Sequence, residues 1–450
     1  MKAALLFLLL MTVQVTAAPV DDFIRDKMDK RHIPGLSLIV LQNGNPAVFK
    51  NYGLANVESG APVTSKTVFK IASLSKAFIA DAILLLAQEG KLALDDRAAK
   101  YLVDAPQSWQ PITIRQLLNH ISGIVRDPPD YHPYDAQPVM DVIRGAYALP
   151  LASPPGEKYL YSNIGYYVLA EIISRTSGRP WDRYIAARFL APAGMAATRL
   201  TTREIVPNRA AGYYWRDGRY LNAEEWVAVR PSGAFLSTPE NMARWDQFQH
   251  SPQFPLNASS RKAAETPALL GDGSASNYGF GWTVDSFLGQ SRIHHDGVFP
   301  GFRSDYEKFG GGLSVILLTN AENGSLERMA VKIAGFFDSR LTAPRFAMAV
   351  QAPASARVGT DVAIALSATA LDRLAPDSLF EMEIWDADDK AVFKTRKQDE
   401  DFKAGESRKL NFSWMPKTAG TYSISVGAYG PHYVPDYAWA EKVATVQVTQ

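Results

Sequence analysis

The sequence predicts an α+β fold followed by a separate all-β domain. Three observations carry this: a strand-turn-strand pattern near the start, a second one around Gly310, and a change after Asp338 from helical periodicity to short alternating segments.

In chain order, Met1-Lys2, an apolar run over 3–13 and the small residues Thr16-Ala17-Ala18 read as a secretory signal over residues 1–18. A spanning helix needs roughly twenty apolar residues, and the best later apolar stretch, 313–318, is only strand-length, so no membrane span is expected in the mature chain. Residues 36–42 form a strand-like run, Asn43-Gly44 is a two-residue hairpin signal, and 47–51 supply the return strand. The segment 73–89 carries Leu74, Phe78, Ile79, Ile83, Leu84, Leu85 and Leu86 before Gly90, which predicts a helix buried on all sides. A second hairpin spans 303–308 and 313–319 around Gly310-Gly311-Gly312, with a helix over 326–337. Beyond it, the segments 362–366, 380–385, 409–414, 421–428 and 442–448 are separated by turn residues, and about five to seven such strands indicate a small β-sandwich of immunoglobulin-like type. The expected domains are therefore 19–343 and 347–450.

Composition excludes several functions. With 47 basic against 46 acidic residues, a formal charge of +1 and no dense basic run, nothing points to nucleic acid or an anionic membrane. Cysteine is absent, which removes disulfides and a thiolate nucleophile. His32, His132, His250 and His432 lack metal-ligand spacing, and neither a His-Glu-x-x-His motif, a Gly-x-Ser-x-Gly elbow nor a dinucleotide glycine fingerprint occurs. No metal or cofactor is expected.

Three motifs carry chemistry in one order: Ser73-Leu74-Ser75-Lys76, Tyr161-Ser162-Asn163 and His295-Asp296-Gly297. A serine hydroxyl needs a base within hydrogen-bond reach. On a helix the i to i+3 spacing stacks Lys76 on the face of Ser73, and burial among apolar neighbours pushes an amine toward the neutral form that accepts a proton. Extra copies exist, Ser259 with Lys262 and Tyr220 with Asn222, but they sit in a polar stretch and after a turn.

With these motifs, Pro34-Gly35, the run Ile112 to Gly123 with Leu118-Asn119-His120-Ile121-Ser122-Gly123, Pro155-Gly156, Leu236-Ser237-Thr238, Tyr278-Gly279-Phe280-Gly281-Trp282 and Pro300-Gly301-Phe302, the chain resembles the serine β-lactamase and penicillin-binding-protein superfamily. The branch is that of class C β-lactamases, D-Ala-D-Ala carboxypeptidases, D-aminopeptidases and β-lactamase-like esterases. The resemblance implies a β-lactamase/DD-peptidase-like antiparallel sheet shared by both hairpins, flanked by helices, with an all-helical lobe. It implies Ser73 as nucleophile, Lys76 or Tyr161 as acylation base, and Asn163 holding Lys76 and the substrate amide. A tyrosine beside a lysine cation has a lowered pKa, so the two can act as one coupled unit, and Tyr161 is also the candidate for activating the deacylating water because no family-like glutamate motif for that step occurs. Position 295 is histidine where class C enzymes commonly carry lysine, and strand alternation aims His295 and Gly297 at the cleft while His294 and Asp296 point away. Gly297 would let substrate lie against the backbone, a substrate carboxylate docking at His295 would need the imidazolium, the alternative being a neutral hydrogen-bonding wall, and Asp296 would be a structural anchor. The N–H of Val298 would join that of Ser73 as oxyanion donor. His120 reads as structural.

The expected function is an exported, periplasmic or secreted serine hydrolase of peptide-like amides: D-amino-acid peptides, peptidoglycan fragments or β-lactams. Ester hydrolysis and a catalytically weak, cell-wall-binding role are the alternatives. The partner is a small-molecule or peptide substrate. The aromatics Trp385, Trp414, Tyr429, Tyr433, Tyr437 and Trp439 are either sandwich core or a platform for cell-wall glycan.

Overall fold

The structure, a computed structural model, describes residues 17–450 apart from 128–131, 133, 136, 324 and 325. Most of the signal reading, residues 1–16, lies outside the described residues.

Both hairpins enter one antiparallel sheet of seven strands. In chain order these are β1 (Gly35–Gln42), β2 (Asn45–Asn56), β3 (Ala61–Pro62), β4 (Thr283–Phe287), β5 (Gln290–Phe299), β6 (Phe302–Phe309) and β7 (Leu313–Thr319), and they lie side by side as β3-β2-β1-β7-β6-β5-β4. The β1–β2 turn has Asn43 at φ 50° and Gly44 at φ 75°, the left-handed pair that matches strand twist in a two-residue hairpin. Strands β1 and β7 join the chain's two ends, with Ile39 opposite Ile316. They read as continuous apolar runs because both of their faces are covered. On one face, Leu36, Leu38, Val315 and Leu317 pack against helices α1 (Ala17–Lys30) and α4 (Leu326–Phe337) through Val20, Ile24, Met329 and Ile333. On the other, Ile39, Leu41, Ile316 and Leu318 join the core of the helical lobe, where α2 (Ser75–Gln88) and α3 (Asn163–Ser177) pack together.

Helix α2 begins later than the sequence suggests. Ala72–Leu74 form a 3₁₀ turn, Ala72 takes φ 47°, and the α-helix starts only at Ser75. Ser73 therefore sits in the tight turn ahead of the helix.

The C-terminal domain is a sandwich of a three-stranded and a five-stranded sheet. Phe346, Ile364, Leu366 and Phe412 from the first meet Phe380, Met382, Ile384, Ile424 and Val426 from the second. Its eight strands exceed the five to seven expected. Among those not foreseen, Ala391–Phe402 is an edge strand whose charged, mostly exposed side chains leave no apolar alternation. Trp414 and Tyr437 belong to the core, while Trp439 is exposed.

Candidate active site

The 3₁₀ turn presses against the sheet at β5. A Cβ on Gly297 would lie 2.2 Å from Ser304 Oγ and 2.5 Å from Ile71 O, so only glycine lets the turn carrying Ser73 come this close. Ser304 fastens the same contact by donating to Ile71 O at 2.8 Å. The missing side chain thus makes room for the enzyme's own backbone rather than for substrate.

Around Ser73 the structure brings together all three motifs. Lys76 is fully buried at the start of α2, its Nζ 3.1 Å from Ser73 Oγ, 3.0 Å from Asn163 Oδ1 and 2.8 Å from Ser232 O. Burial, reinforced by the nearby Arg230 guanidinium, holds its pKa well below the usual lysine range. The Tyr161 ring lies 4.7 Å from Nζ, and its hydroxyl hydrogen-bonds with Ser73. Contrary to the expected lowering, burial pushes the Tyr161 phenol up, outweighing the hydrogen bond with Ser73 and the Arg126 guanidinium.

Tyr161 and Asn163 are held by capping chemistry. Ser162 is the N-cap of α3, accepting from Gly165 N at 3.1 Å, and its own N–H donates to His120 Nδ1 at 3.1 Å. His120, at φ 58° and fully buried, packs at a tilt against the Tyr161 ring, with centroids 4.2 Å apart. These contacts join it to the second motif, an arrangement that fits a structural histidine.

The third motif behaves differently from expectation. His295 is buried rather than open to the cleft. Its Nδ1 faces the Asp296 carbonyl at 2.6 Å, which requires N–H there, and its Nε2 then accepts from the Tyr278 hydroxyl at 2.9 Å. Burial depresses its pKa to about 4, so the ring is neutral at pH 7 and unsuited to docking a carboxylate as an imidazolium. Asp296, expected to be an anchor, is instead 65% exposed at the cleft rim. Val298 is half-exposed on the same wall.

The cleft has a volume of about 840 Å³ and is lined by Ser73, Tyr161, Asn163, Asp296 and Val298 together with Arg126, Asp127, Tyr214, Glu224, Trp226, Arg230 and Glu322. Sequence reading missed the polar members of this second group. Asp127 accepts from Asn163 Nδ2 at 3.0 Å and from Arg230 at 2.5 Å, so it orients the asparagine that orients Lys76. Apart from Tyr214, which lies on the short strand Tyr213–Arg216, these polar residues come from loops and carry no local signature. The spare motif copies are separated by structure: Ser259 and Lys262 are exposed on a short helix, and Tyr220 packs on Trp215 in a small hairpin.

With this geometry in place, the comparisons identify the class. Residues 20–335 match the family described as Beta-lactamase, and the chain belongs to that family. It is a serine hydrolase. A curated relative, Penicillin-binding protein 4* of Bacillus subtilis, is 27% identical over 68% of this chain and 72% of its own length. Among solved structures, the octameric penicillin-binding protein homologue from Pyrococcus abyssi aligns with 91% of this chain and 98% of its own at TM-score 0.64 and 20% identity. D-amino acid amidase from Ochrobactrum anthropi SV3 aligns with 72% of this chain and 96% of its own at TM-score 0.61 and 23% identity. Those two likenesses concern the fold.

Proposed function

We propose that this protein hydrolyses peptide-like amides of D-amino-acid type through an acyl-enzyme on Ser73, with Lys76 as the acylation base. One observation carries the assignment. A neutral amine has two hydrogens and one lone pair, and Lys76 Nζ faces two carbonyl oxygens, those of Asn163 and Ser232, plus the Ser73 hydroxyl. The carbonyls can only accept, so they take the hydrogens and leave the lone pair toward Ser73. As Oγ bonds to the substrate carbonyl carbon, its proton passes to Nζ. The C–N bond then breaks and the departing amine takes a proton from the Lys76–Tyr161 pair. Tyr161, a neutral phenol at working pH, suits proton delivery here and orientation of the water that releases the acid. Asn163 retains one Nδ2 hydrogen for a substrate carbonyl, and the Ser73 and Val298 N–H groups are the proposed oxyanion donors.

Support for the substrate class is the mixed-charge cleft, in which Arg126 and Arg230 can meet a carboxylate and Asp296, Glu224 or Glu322 an ammonium. The named relatives, a penicillin-binding protein and a D-amino acid amidase, fit the same reading. Carboxylic esters are the second reading, favoured by the neutral His295, which does not demand an acidic substrate.

Export to the periplasm or medium is proposed from the leader; among the described residues no helix is long and apolar enough to cross a membrane. Glycan contact through the sandwich is proposed at the open groove of Tyr429, Tyr433 and Trp439 beside Glu381 and Glu383. The deciding experiment measures kcat/KM and acyl-enzyme mass for D- and L-phenylalanine amides, a D-Ala-ended peptide, a p-nitrophenyl ester and a β-lactam. A D-amide or D-peptide preference is expected. Turnover confined to the ester would overturn the amide assignment.

A further inference from the structure

On the face of β5 turned away from Ser73, the same strand carries a second cluster that the hydrolase chemistry does not use. We propose that His294 Nδ1 and the carboxylates of Glu307 and Glu327 form a binding site for one divalent cation, Zn²⁺ by the chemistry of the donors.

Antiparallel pairing sets His294 opposite Glu307, and α4 lays Glu327 over them. One ligand atom from each lies within 4.8 Å of the other two. His294 Nδ1 is 3.7 Å from Glu307 Oε1. That is too long for a hydrogen bond and close to a tetrahedral edge, since two ligands each ~2.1 Å from a zinc ion stand about 3.4 Å apart. Glu307 is completely buried, yet neither carboxylate oxygen has a hydrogen-bond partner. Native buried polar atoms are nearly always satisfied, so this carboxylate calls for a cation between itself and the imidazole.

The tautomer fits as well. His294 Nε2 faces Asp285 Oδ2 at 3.3 Å, which keeps a proton on that nitrogen, so that an ion need displace only a proton on Nδ1 to meet its inward lone pair. A carboxylate on the far nitrogen is the usual support of a metal-bound histidine. Arg292 is the internal counter-ion, holding Asp285 at 2.6 Å and Glu327 at 2.9 Å and standing 3.6 Å from Glu307 Oε2, so its single charge is shared among these three carboxylates, with Asp305 a fourth nearby. Asp305 is also fully buried with neither oxygen hydrogen-bonded, and with Glu327 it lines a neighbouring cavity of about 360 Å³ that Arg303 shares. A bound ion would cross-link β5, β6 and α4 behind the strand that supports the nucleophile turn. The proposal does not depend on which substrate Ser73 attacks.

The test is calorimetric titration of the full-length, chelator-treated protein with Zn²⁺, alongside thermal melts with and without Zn²⁺. One equivalent should bind and raise Tm. Glu327→Gln, on a partly exposed helix position that should fold normally, and His294→Gln should each weaken binding at least ~10-fold and abolish the Tm shift. Asp285→Asn should weaken it comparably, by freeing the ring, whereas Ser73→Ala should bind Zn²⁺ like the wild type. Absence of saturable binding to wild-type protein at millimolar Zn²⁺ would overturn the proposal. So would undiminished affinity in both Glu327→Gln and His294→Gln.

Discussion

His294 and His295 are consecutive residues of one strand, and their surroundings differ in every respect that matters. His295 faces the helical lobe, packed among Tyr161, Tyr278 and the apolar core, and burial drives its pKa down to about 4. His294 faces α4. Burial works against its cation too, but Glu307 and Asp285 outweigh that and raise its pKa. Strand alternation sends the side chains to opposite faces, and the company on each face fixes the chemistry. The buried side toward Ser73 disfavours charge and lowers the pKa of both His295 and Lys76, the direction a lysine base requires. The face under α4 collects charge.

The largest effects should come from the neutral face. Lys76→Ala and Tyr161→Phe should each lower kcat by about 10² to 10⁴, the range for a lost proton-transfer group. The double variant should lose far less than the product of the two, because both act on the same proton. Steady-state kinetics with circular dichroism checks this, and multiplicative losses would place the two residues in separate steps.

Gly297→Ala should come next. Its new Cβ would collide with the Ile71 carbonyl and Ser304, costing about 1–3 kcal/mol as overpacking and moving the turn that carries Ser73. Asp296→Ala, the adjacent residue on the other face, should stay within roughly ±0.5 kcal/mol, as expected of an exposed side chain. Chemical denaturation of the pair measures the contrast, and equal losses would erase it.

A smaller effect concerns pH. Because His295 is already neutral above about pH 4, no loss of activity between pH 6 and 8 should trace to its imidazolium. A D-Ala-ended peptide and a neutral ester should show the same rising limb, set by loss of a proton from Lys76, whose pKa burial lowers. A fall seen only for the peptide would restore the carboxylate-docking role.

Least of all should be felt on cutting after Ala343. The boundary is crossed by an Arg328–Asp436 ion pair at 3.1 Å and by Arg373 donating to Ser339 O and Thr342 O, while each domain keeps its own core. Turnover of small substrates should survive with a modest drop in Tm. Aggregation of the truncated protein would mean that the domains fold as one.

Much of this was legible in sequence wherever a local rule suffices. Asn43-Gly44 specified its turn, the apolar runs specified β1 and β7, and Ser-x-x-Lys placed an amine by a hydroxyl. Other features depend on contacts between distant segments. Nothing near Asp127, Arg230 or Ser232 reveals that they converge on Asn163 and Lys76. The 3₁₀ turn at Ser73 follows from the left-handed Ala72 being pressed against Gly297, a tertiary contact. Alternation separated the side-chain directions of His295 and Gly297 from those of His294 and Asp296, but it assigned the cleft to the wrong pair: the enzyme's own backbone and tyrosines enclose Gly297 and His295, while Asp296 lines the cleft. The pairing of His294 with Glu307 runs across a hairpin, where a search for metal spacing along the chain does not look.

The central claim is that Ser73, activated by a neutral Lys76, is the nucleophile. Intact-protein mass spectrometry after treatment with a serine-directed fluorophosphonate tests it most directly. Wild-type protein should gain one adduct mapping to the peptide containing Ser73, Lys76→Ala should gain it far more slowly, and Ser73→Ala should gain none. An adduct that persists on folded Ser73→Ala, or a wild-type protein that never reacts, would contradict the account.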